Sequence, residues 1–483
     1  MPTSRLTKII ATLGPASTDP KTISDLIKAG VNVFRINCSH TDPETRSNVI
    51  RIIRNEAKKQ GRVIGVLVDL QGPKIRVGKL KDGCIHLLDD SELVLTSEQM
   101  LGNANKFEVV NFDKIISCLK PSERILLNDG LIELKITDVM DDKKNVKCKV
   151  IYGGELKDGK GINFPDSNLK DVPALTEKDI EDLKHAQKEE AELIALSFVR
   201  SAEDVKAVRK YFAKDSKIKV IAKIEKPQAI EDMDNILKAF DGIMVARGDL
   251  GVELSYEKLP AIQKQIIQKA NEGNVLVITA TQMLESMIHS PRPTRAELSD
   301  VANAIFDGSD AIMLSGETAV GKYPVLAVET MHKVAVEAER VAPRHRHEAK
   351  TVQESIARSA CALAERIKAT AIVSFTSSGK TALLVSKQRP PVKVIALTQD
   401  QMVGRQVALY WGITPLFLTE VSDTEAMMGI VEKALLDAKM VELGDTVVIT
   451  AGMPIAARGD TNFIKIHKCE GLFHPNICDV KKP

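Results

Sequence analysis

Two segments near the middle of the chain, 220–227 and 242–251, place charged side chains where apolar strands end. Each is a short apolar run followed by charged residues and by a Pro or Gly that interrupts a strand. Since side chains alternate along a strand, Lys223 and Glu225 face the same way, and Asp249 follows the second run. Two carboxylates can share a hard cation, and an ammonium beside them suits an anionic oxygen substrate. A surface ion pair would explain one charged pair, but not two strongly apolar strands that both end in complementary chemistry.

Strands of this kind recur along the chain and predict a barrel. Eight apolar segments have strand length, at 8–13, 31–37, 65–70, 193–198, 219–225, 242–249, 275–281 and 311–317. Amphipathic helical patterns separate most of them, at 22–29, 43–60, 176–189, 202–213 and 256–273. Eight βα units predict a (β/α)8 barrel, an α/β fold whose chemistry gathers at the carboxyl ends of the strands. The polar residues found at those ends are Arg35, Asn37, Asp69, Lys223, Glu225, Asp249, Thr281, Ser315 and Glu317.

Local signals also mark some helix ends. Thr176 followed by Asp179 predicts a helix start, because the two side chains can cap each other's backbone N–H groups. Gly30 and Gly273 stand where helices are expected to stop.

Two further parts of the chain differ from the barrel units. Residues 74–172 contain short β-leaning runs with Asp, Gly and Lys turns, which predicts an inserted β domain able to cover the barrel mouth. Those runs are at 84–88, 92–96, 124–127, 131–139 and 146–152. Residues 342–483 alternate helix and strand, with strands at 371–375, 392–398, 414–418 and 446–450, and predict an open α/β sheet. The catalytic barrel would comprise 1–73 and 173–341, and the basic segment with His345 and His347 is interpreted as an interdomain linker rather than a metal site.

The first strand of the third domain runs into a small polar loop, TSSGKT at 376–381, and then into a helix at 382–387. Backbone N–H groups and hydroxyls at a helix start form a ready site for an anion. Ser374 occupies the place of the first glycine of a P-loop, so a nucleoside triphosphatase site is not predicted. From the residues alone, an anion-binding loop and a simple capping loop are both open.

Composition excludes several classes of protein. The 483 residues are 44% hydrophobic and 27% charged, and the net charge of +2 provides no general attraction to nucleic acid or membrane. One Trp and five Tyr offer few stacking surfaces for single-stranded nucleic acid. The seven cysteines are scattered without CxxC spacing, which indicates free thiols in a reducing compartment. With a polar N-terminus and no apolar run long enough to span a membrane, a cytoplasmic protein is expected.

Eight motifs, in order along the chain, resemble those of the pyruvate kinase family. They are ATLGPAS at 11–17, RINCSH at 35–40, GPKIR at 72–76, KIEKP at 223–227, ARGDLGVE at 246–253, ATQMLESM at 280–287, PRPTRAE at 291–297 and LSGETA at 314–319. Any one could arise by chance, but all eight in this order are specific, and the resemblance covers essentially the whole chain. It implies a TIM barrel with an inserted β-barrel lid domain and a C-terminal α/β effector domain. It also implies the glycolytic transfer of a phosphoryl group from phosphoenolpyruvate to ADP, giving pyruvate and ATP.

The resemblance implies a role for each residue around Lys223. Glu225 and Asp249 would hold Mg²⁺ or Mn²⁺ on phosphoenolpyruvate. Lys223 would stabilise the transferring phosphoryl group and the enolate. The backbone of Gly248 and Asp249, with the Thr281 hydroxyl, would bind the substrate carboxylate.

Other site residues are also implied by the resemblance. Thr281 with Ser315 and Glu317 would form the relay that protonates the enolate. Arg35 and Arg76 would clamp phosphates, which planar guanidinium groups suit. The nucleotide is expected to lie against Arg76, Asn37, His40 and the lid lysine Lys160. Taken singly, these basic residues could equally be solvated surface groups.

One departure from the family concerns monovalent cations. Asn37, Ser39 and Asp69 match positions that hold potassium in many members, whose motif is roughly DTKGPEIRT. This chain has DLQGPKIRV at 69–77, so Leu70 removes a hydroxyl ligand and Lys74 replaces a carboxylate with an ammonium. The departure resembles the branch that works without a monovalent cation, and we expect Lys74 to stand in for potassium. The alternative is that Lys74 points elsewhere and a cation still binds weakly. Cys38 and Thr41 also replace the usual Phe and Gly.

The resemblance extends to regulation and assembly. The loop at 376–381 matches the family's phosphate-gripping loop, so a sugar phosphate or a nucleotide monophosphate is the expected activator. The residues expected to hold its phosphate are Thr376, Ser377, Ser378, Gly379, Lys380 and Thr381. A homotetramer is expected.

Two other functions would explain part of this pattern. A metal-dependent barrel lyase or aldolase acting on phosphoenolpyruvate or pyruvate shares the enolate chemistry, but it has no use for an ADP lid with Lys160. A catalytically dead sugar-phosphate sensor needs a broken site, whereas Lys223, Glu225, Asp249 and Thr281 are all present.

Overall fold

The computed structural model describes residues 5–167, 169, 172–343, 348–418, 424–452 and 460–471. The His345 and His347 pair lies outside these residues. None of the described helices is long and apolar enough to cross a membrane.

The chain begins with strands whose every position, or nearly so, is buried. The first elements are β1 (Lys8–Leu13), α1 (Pro20–Ala29), β2 (Val33–Asn37), α2 (Pro43–Lys59) and β3 (Gly65–Asp69). All residues of β1 and β3 are buried, as expected for parallel strands packed on both faces. Helix α1 ends at Gly30, whose φ of 117° is left-handed and lets its N–H reach two carbonyls of the last turn.

An inserted set of strands follows β3 and forms a second, barrel-like sheet. Its strands are β4 (Arg76–Val77), β5 (Cys84–Leu87), β6 (Glu92–Thr96), β7 (Lys106–Val110), β8 (Arg124–Leu127), β9 (Ile132–Val139), β10 (Asn145–Tyr152), β11 (Gly154–Lys157) and β12 (Ile162–Asn163). Seven of them pair in the order β12-β8-β9-β10-β6-β7-β4, and β11 pairs with β5. Phe107, Phe112 and Leu134 are fully buried in a separate hydrophobic core. This sheet is therefore the predicted inserted β domain, which we call the lid.

The chain then returns to complete the barrel. The returning elements are α3 (Glu177–Lys188), β13 (Leu193–Leu196), α4 (Asp204–Arg209), β14 (Lys219–Ile224), α5 (Pro227–Glu231), α6 (Met233–Ala239), β15 (Gly242–Ala246), α7 (Arg247–Glu253), α8 (Leu259–Glu272), β16 (Leu276–Ala280), α9 (Arg295–Phe306), β17 (Ala311–Leu314), α10 (Gly316–Ala319) and α11 (Pro324–Val341). Eight strands close in the order β1-β17-β16-β15-β14-β13-β3-β2, which confirms the predicted barrel. Helix α3 begins with the predicted capping box of Thr176 and Asp179.

Several predicted barrel strands end one or two residues early, and two of them end three residues early. The segments 242–249 and 311–317 were predicted to be extended throughout, but β15 stops at Ala246 and β17 at Leu314. Ala246 pairs with Ala280, the last residue of the neighbouring strand, so no hydrogen-bonding partner lies beyond it. Asp249 and Glu317 consequently lie on the short helices α7 and α10 rather than on strands.

The C-terminal part is an open sheet flanked by helices. Its elements are α12 (Val352–Arg366), β18 (Ala371–Phe375), α13 (Lys380–Lys387), β19 (Lys393–Thr398), α14 (Gln401–Val407), β20 (Ile413–Phe417), α15 (Thr424–Asp437), β21 (Thr446–Gly452) and β22 (Thr461–Lys468). The order is β20-β19-β18-β21-β22, and the first four strands are parallel. Strand β22, which the sequence did not predict, runs antiparallel to β21.

Buried charges join this sheet domain to the amino-terminal ends of the barrel strands. Asp310, just before β17, lies 2.5 Å from Lys387 Nζ and 2.9 Å from Arg389 Nη2, and both lysine and aspartate side chains are fully buried. Lys8 Nζ donates to the carbonyl of Ile413, on β20, at 2.7 Å. The carboxyl ends of the barrel strands are thereby left facing the lid.

Candidate functional site

Lys223 occupies the centre of the barrel mouth. Its Nζ lies 2.9 Å from Glu225 Oε1, 3.4 Å from Asp69 Oδ1 and 2.8 Å from Ser197 Oγ. The side chain is 12% exposed. Burial disfavours the ammonium, but the Asp69 and Glu225 carboxylates outweigh it and raise the pKa of Lys223 above its usual value. The site therefore holds a permanent, oriented positive charge.

Arg35 shares the Asp69 carboxylate with Lys223. Arg35 Nε donates to Asp69 Oδ2 at 2.7 Å, and Nη1 donates to Thr12 Oγ1 at 3.1 Å. Burial would raise the pKa of Asp69, but Lys223 and Arg35 dominate and lower it. Asp69, on β3, is thus an ionised carboxylate that orients Arg35 of the neighbouring β2 and Lys223 of β14, two strands away.

The Glu225 and Asp249 carboxylates also lie near Lys223. Glu225 is fully buried, and its Oε2 accepts a 2.7 Å hydrogen bond from the Phe198 N–H. Burial raises the pKa of Glu225 and the nearby Asp249 charge adds to this, while Lys223 opposes it. The Asp249 side chain is 33% exposed, so one buried and one accessible carboxylate lie close together.

These two carboxylates fit a divalent cation that retains other ligands. In the described part of the chain, no three or more His, Cys, Asp or Glu side chains are grouped to hold a metal. Mg²⁺ is commonly bound by one or two carboxylates together with substrate oxygens and water, and it prefers hard oxygen donors. The donor set of Glu225 and Asp249 matches that pattern.

Gly248 and Thr281 meet at the neighbouring strand ends. The Gly248 N–H donates to Thr281 Oγ1 at 2.8 Å, and that hydroxyl donates to the Ala280 carbonyl at 2.6 Å. Thr281 has a φ of 71°, a strained backbone for a β-branched residue. Arg247 holds this turn, since its Nη2 donates to the Thr281 carbonyl at 2.6 Å and its Nη1 to Asp300 at 2.7 Å.

Ser315 and Glu317 follow β17 at the same end of the barrel. Glu317 is buried, and its two oxygens accept from the N–H groups of Ser315 at 2.7 Å and Leu284 at 3.0 Å. The Ser315 hydroxyl is buried without a hydrogen-bond partner among the described residues. Within that same set, no hydrogen bond links Thr281 to Ser315 or Glu317, although all three stand on adjacent strand ends.

The residues predicted to meet the nucleotide form two groups. Burial lowers the pKa of the His40 imidazole, and the nearby Arg76, Arg35 and Lys74 cations lower it further. Arg76 Nη1 donates to the Gly159 carbonyl of the lid at 2.8 Å. Lys160 is farther out, with its Nζ 3.9 Å from Asp129 and its side chain 39% exposed.

The four residues predicted for a monovalent-cation pocket are only partly assembled. Asn37 and Asp69 are direct neighbours across β2 and β3, and Asn37 Oδ1 accepts from the Ser39 N–H at 3.0 Å. Asp69, however, is occupied by Arg35 and Lys223. The ion pair of Lys74 is with Asp249, at 3.8 Å, so its ammonium faces the predicted metal ligand.

The TSSGKT loop at 376–381 opens onto a cavity of about 1050 Å³ between the sheet domain and the barrel. Gly379 has a left-handed φ of 85°, and its N–H donates to Thr376 Oγ1 at 2.8 Å. Thr381 shares a 2.7 Å hydrogen bond with Thr461. Both threonine hydroxyls are thus engaged within the protein, whereas Ser377, Ser378 and Lys380 are exposed.

Three residues that shape the site were not predicted from the sequence. The Ser197 hydroxyl accepts a hydrogen bond from Lys223, and the Phe198 N–H donates to Glu225. Arg247 donates to the Thr281 carbonyl. Ser197 follows the apolar strand β13, so the rule applied to the other strand ends would have found it. The roles of Phe198 and Arg247 depend on backbone atoms of distant segments and have no comparable sequence signal.

Comparison with known proteins gives a consistent picture. The family model for the barrel domain of pyruvate kinase matches residues 4–328, and that for its alpha/beta domain matches 354–467. A pyruvate kinase of Geobacillus stearothermophilus is 43% identical over 477 residues, covering 97% of this chain and 81% of the relative. One from Staphylococcus aureus strain MRSA252 is 41% identical over 471 residues, covering 96% and 80%. The crystal structure of a pyruvate kinase from Cryptosporidium parvum aligns with a TM-score of 0.88 at 34% identity and covers 96% of both chains.

Proposed function

The chain belongs to the pyruvate kinase family, a family of phosphotransferases, and on that premise we propose that it transfers the phosphoryl group of phosphoenolpyruvate to ADP. The reaction also consumes one proton, and its products are pyruvate and ATP. The observation that carries the proposal is the Lys223 ammonium, held by Asp69, Glu225 and Ser197 beside the Glu225 and Asp249 carboxylates.

Lys223 acts where negative charge develops. Phosphoryl transfer spreads charge over the moving group and leaves an enolate, and a positioned cation stabilises both more than it stabilises the ground state. The buried carboxylates around Lys223 keep it charged and oriented, so little reorganisation accompanies the reaction. Arg35, tied to Asp69, places a second cation beside the phosphate.

Glu225 and Asp249 would hold Mg²⁺ or Mn²⁺. When bound, the ion supplies neutralisation of phosphate charge and Lewis-acid stabilisation of the enolate. The chain's own contribution is one carboxylate fixed by the Phe198 N–H and one that remains accessible to incoming substrate.

The Gly248 and Thr281 turn binds the substrate carboxylate in this proposal. The backbone N–H groups of Gly248 and Asp249 and the Thr281 hydroxyl donate to it, so the Gly248 N–H exchanges its present partner for substrate. Ser315, whose hydroxyl has no partner among the described residues, and the buried Glu317 would work with Thr281 to deliver the proton to the enolate carbon.

The nucleotide would lie between the barrel and the lid. His40 and Asn37 would line the barrel side, and Arg76 and Lys160 would reach from the lid. Lid closure would exclude water, which protects the phosphoryl group from hydrolysis.

Lys74 is proposed to replace a monovalent cation. Its ammonium already reaches Asp249, at the reaction centre, from the start of the lid. An ammonium has the single charge that potassium would otherwise supply, so activity should not require potassium.

The test measures pyruvate formation from phosphoenolpyruvate and ADP with Mg²⁺, in potassium chloride and in tetramethylammonium chloride. The wild-type rates should agree in both salts, and Lys74→Glu should become potassium-dependent. That dependence should be about tenfold or more, since a charge a few ångströms from the phosphate is worth about 1–4 kcal/mol. The control is Lys79→Glu, a lid lysine that is 82% exposed, which should show no dependence.

Each outcome has a distinct meaning. Wild-type activity only with potassium would reject the role of Lys74 and keep the phosphotransferase. No pyruvate in either salt, even with sugar phosphates added, would reject the proposed reaction and favour a sensor or a lyase.

A phosphorylated activator is proposed at the 376–381 loop. The exposed hydroxyls of Ser377 and Ser378 and the Lys380 ammonium border the large cavity and suit a phosphate. A homotetramer would let binding there bias other subunits. Ser378→Asp should abolish activation by sugar phosphates without changing the unactivated rate, and unchanged activation would reject the site.

A further inference from the structure

Helix α3 carries a buried carboxylate, Asp182, that binds two cations at once. Asp182 Oδ1 lies 2.5 Å from Arg46 Nη2, and Oδ2 accepts from Lys178 Nζ at 2.7 Å. The Asp182 and Arg46 side chains are 4% and 1% exposed, while Lys178 is 48% exposed. Asp182 is therefore fully committed to orienting these two side chains.

Both cations use their remaining donors on one loop. Arg46 Nη1 donates to the Thr41 carbonyl at 2.9 Å, and Lys178 Nζ donates to the Cys38 carbonyl at 2.8 Å. The segment between those carbonyls is Ser39 and His40, at the end of β2. The loop is thus held from outside at both of its ends.

The same helix also holds the start of the lid. Asp179 Oδ1 accepts from the Gly72 N–H at 3.0 Å, and Asp179 itself is fully buried. Gly72 has a left-handed φ of 70°, and a Cβ there would come within 2.9 Å of the Phe198 ring. Gly72 precedes the lid strands, so α3 contacts both the loop at 38–41 and the start of the lid.

A cluster of this kind is a poor way to gain stability alone. Removing the Asp182 and Arg46 charges from water costs more than packing apolar side chains of the same size, and replacement of such buried pairs is often neutral or favourable. The hydrogen bonds to two specific carbonyls, however, define the path of the loop, which an apolar cluster would not.

We propose that Asp182 is a positioning residue for ADP binding, acting through Arg46 and Lys178 on the loop at 38–41. The inference rests on the proposed function, because it takes His40 and Asn37 to face the nucleotide. Phosphoenolpyruvate binding should be spared, since none of the contacts of Lys223 comes from α3.

The experiment compares Asp182→Asn with Glu181→Gln. Both changes remove one negative charge from α3, but Glu181 is exposed. Asp182→Asn should raise KM for ADP by about tenfold, equivalent to the loss of about 1.4 kcal/mol of binding, and leave KM for phosphoenolpyruvate and kcat within about twofold. Glu181→Gln should change none of the three.

Lys178 provides a second site for substitution. About half of its side chain is in solvent, so a change there should leave the fold intact. Lys178→Met should raise KM for ADP by about threefold, since one of the two loop contacts is lost. Lys178→Arg, which retains a donor, should restore most of the affinity. In the Asp182→Asn background, Lys178→Met should raise KM for ADP little further, because Asp182 acts on the loop through Lys178.

The calorimetric Kd of MgADP is measured for every variant alongside the kinetics. An unchanged KM and Kd for ADP in Lys178→Met would overturn the proposal, as would an equal loss for both substrates, which indicates a general structural role. If the wild type forms no pyruvate, only the proposed function is rejected. The Kd of MgADP in each variant, compared with that of wild type, still tests the role of the loop. If Asp182→Asn does not fold, Lys178→Met and Lys178→Arg decide the matter.

Discussion

Lys8 provides a quantitative test of the contact between barrel and sheet domain. The lysine begins β1, is 7% exposed, and donates to the Ile413 carbonyl of β20. Burial lowers the pKa of Lys8 to about 7, with Arg5 and Arg62 contributing and Glu339 opposing. The carbonyl accepts one of the ammonium's three N–H donors and does not neutralise its charge, so the charged form is disfavoured in the folded protein.

The direction of the pH dependence follows from that shift. The folded-state pKa lies below the unfolded value, so between pH 7 and 10.5 the unfolded chain binds more protons and stability rises with pH. From pH 6 to pH 9, Lys8 should increase the free energy of unfolding by about 2.7 kcal/mol, two pH units above its folded pKa at about 1.4 kcal/mol each. Lys8→Met should lack this increment. The free energy of unfolding of Lys8→Met relative to wild type should therefore be higher at pH 6 than at pH 9.

Trp411 makes the measurement direct. It is the single tryptophan of the chain, two residues before Ile413, and its ring lies 4.7 Å from the Arg389 guanidinium. Urea unfolding followed by its fluorescence at pH 6 and 9, for wild type and Lys8→Met, gives the difference free of other titrating groups. Lys393→Met, an exposed lysine at the start of β19, is the control. The same pH dependence in wild type and Lys8→Met would refute the reasoning.

Two further predictions concern buried charge. Lys223→Met should lower kcat by about 10²–10³, the usual loss when one preorganised donor to a developing charge is removed, and steady-state kinetics showing less than about a tenfold loss would contradict its role. Asp310→Asn should destabilise the domain contact by about 3–5 kcal/mol, because Lys387 and Arg389 would be left as buried charges without a counter-ion. Urea unfolding at Trp411 measures this, and adding Lys387→Met should recover part of the loss; additive effects in that double variant would show that the pair does not interact.

Much of the fold could be predicted because its signals are local. The apolar runs of the eight barrel strands, the reciprocal capping of Thr176 and Asp179, and the left-handed stop at Gly30 depend on residues within a few positions of each other. Lys223 and Glu225 could be placed together for the same reason, since residues two apart on a strand share a face.

Other features depend on where distant segments meet. The Ser197 hydroxyl reaches Lys223, Asp182 reaches Arg46 across 136 positions, and Lys8 reaches Ile413 across 405. Closure of the barrel and docking of the sheet domain create these contacts, and side-chain type alone does not reveal them. The short helix bearing Asp249 has the same origin, because β15 ends where the neighbouring β16 no longer offers backbone hydrogen bonds. The residue types for the chemistry are therefore written locally in the chain, whereas their charge states and exact partners arise from long-range packing, which sets burial and the distances between charges.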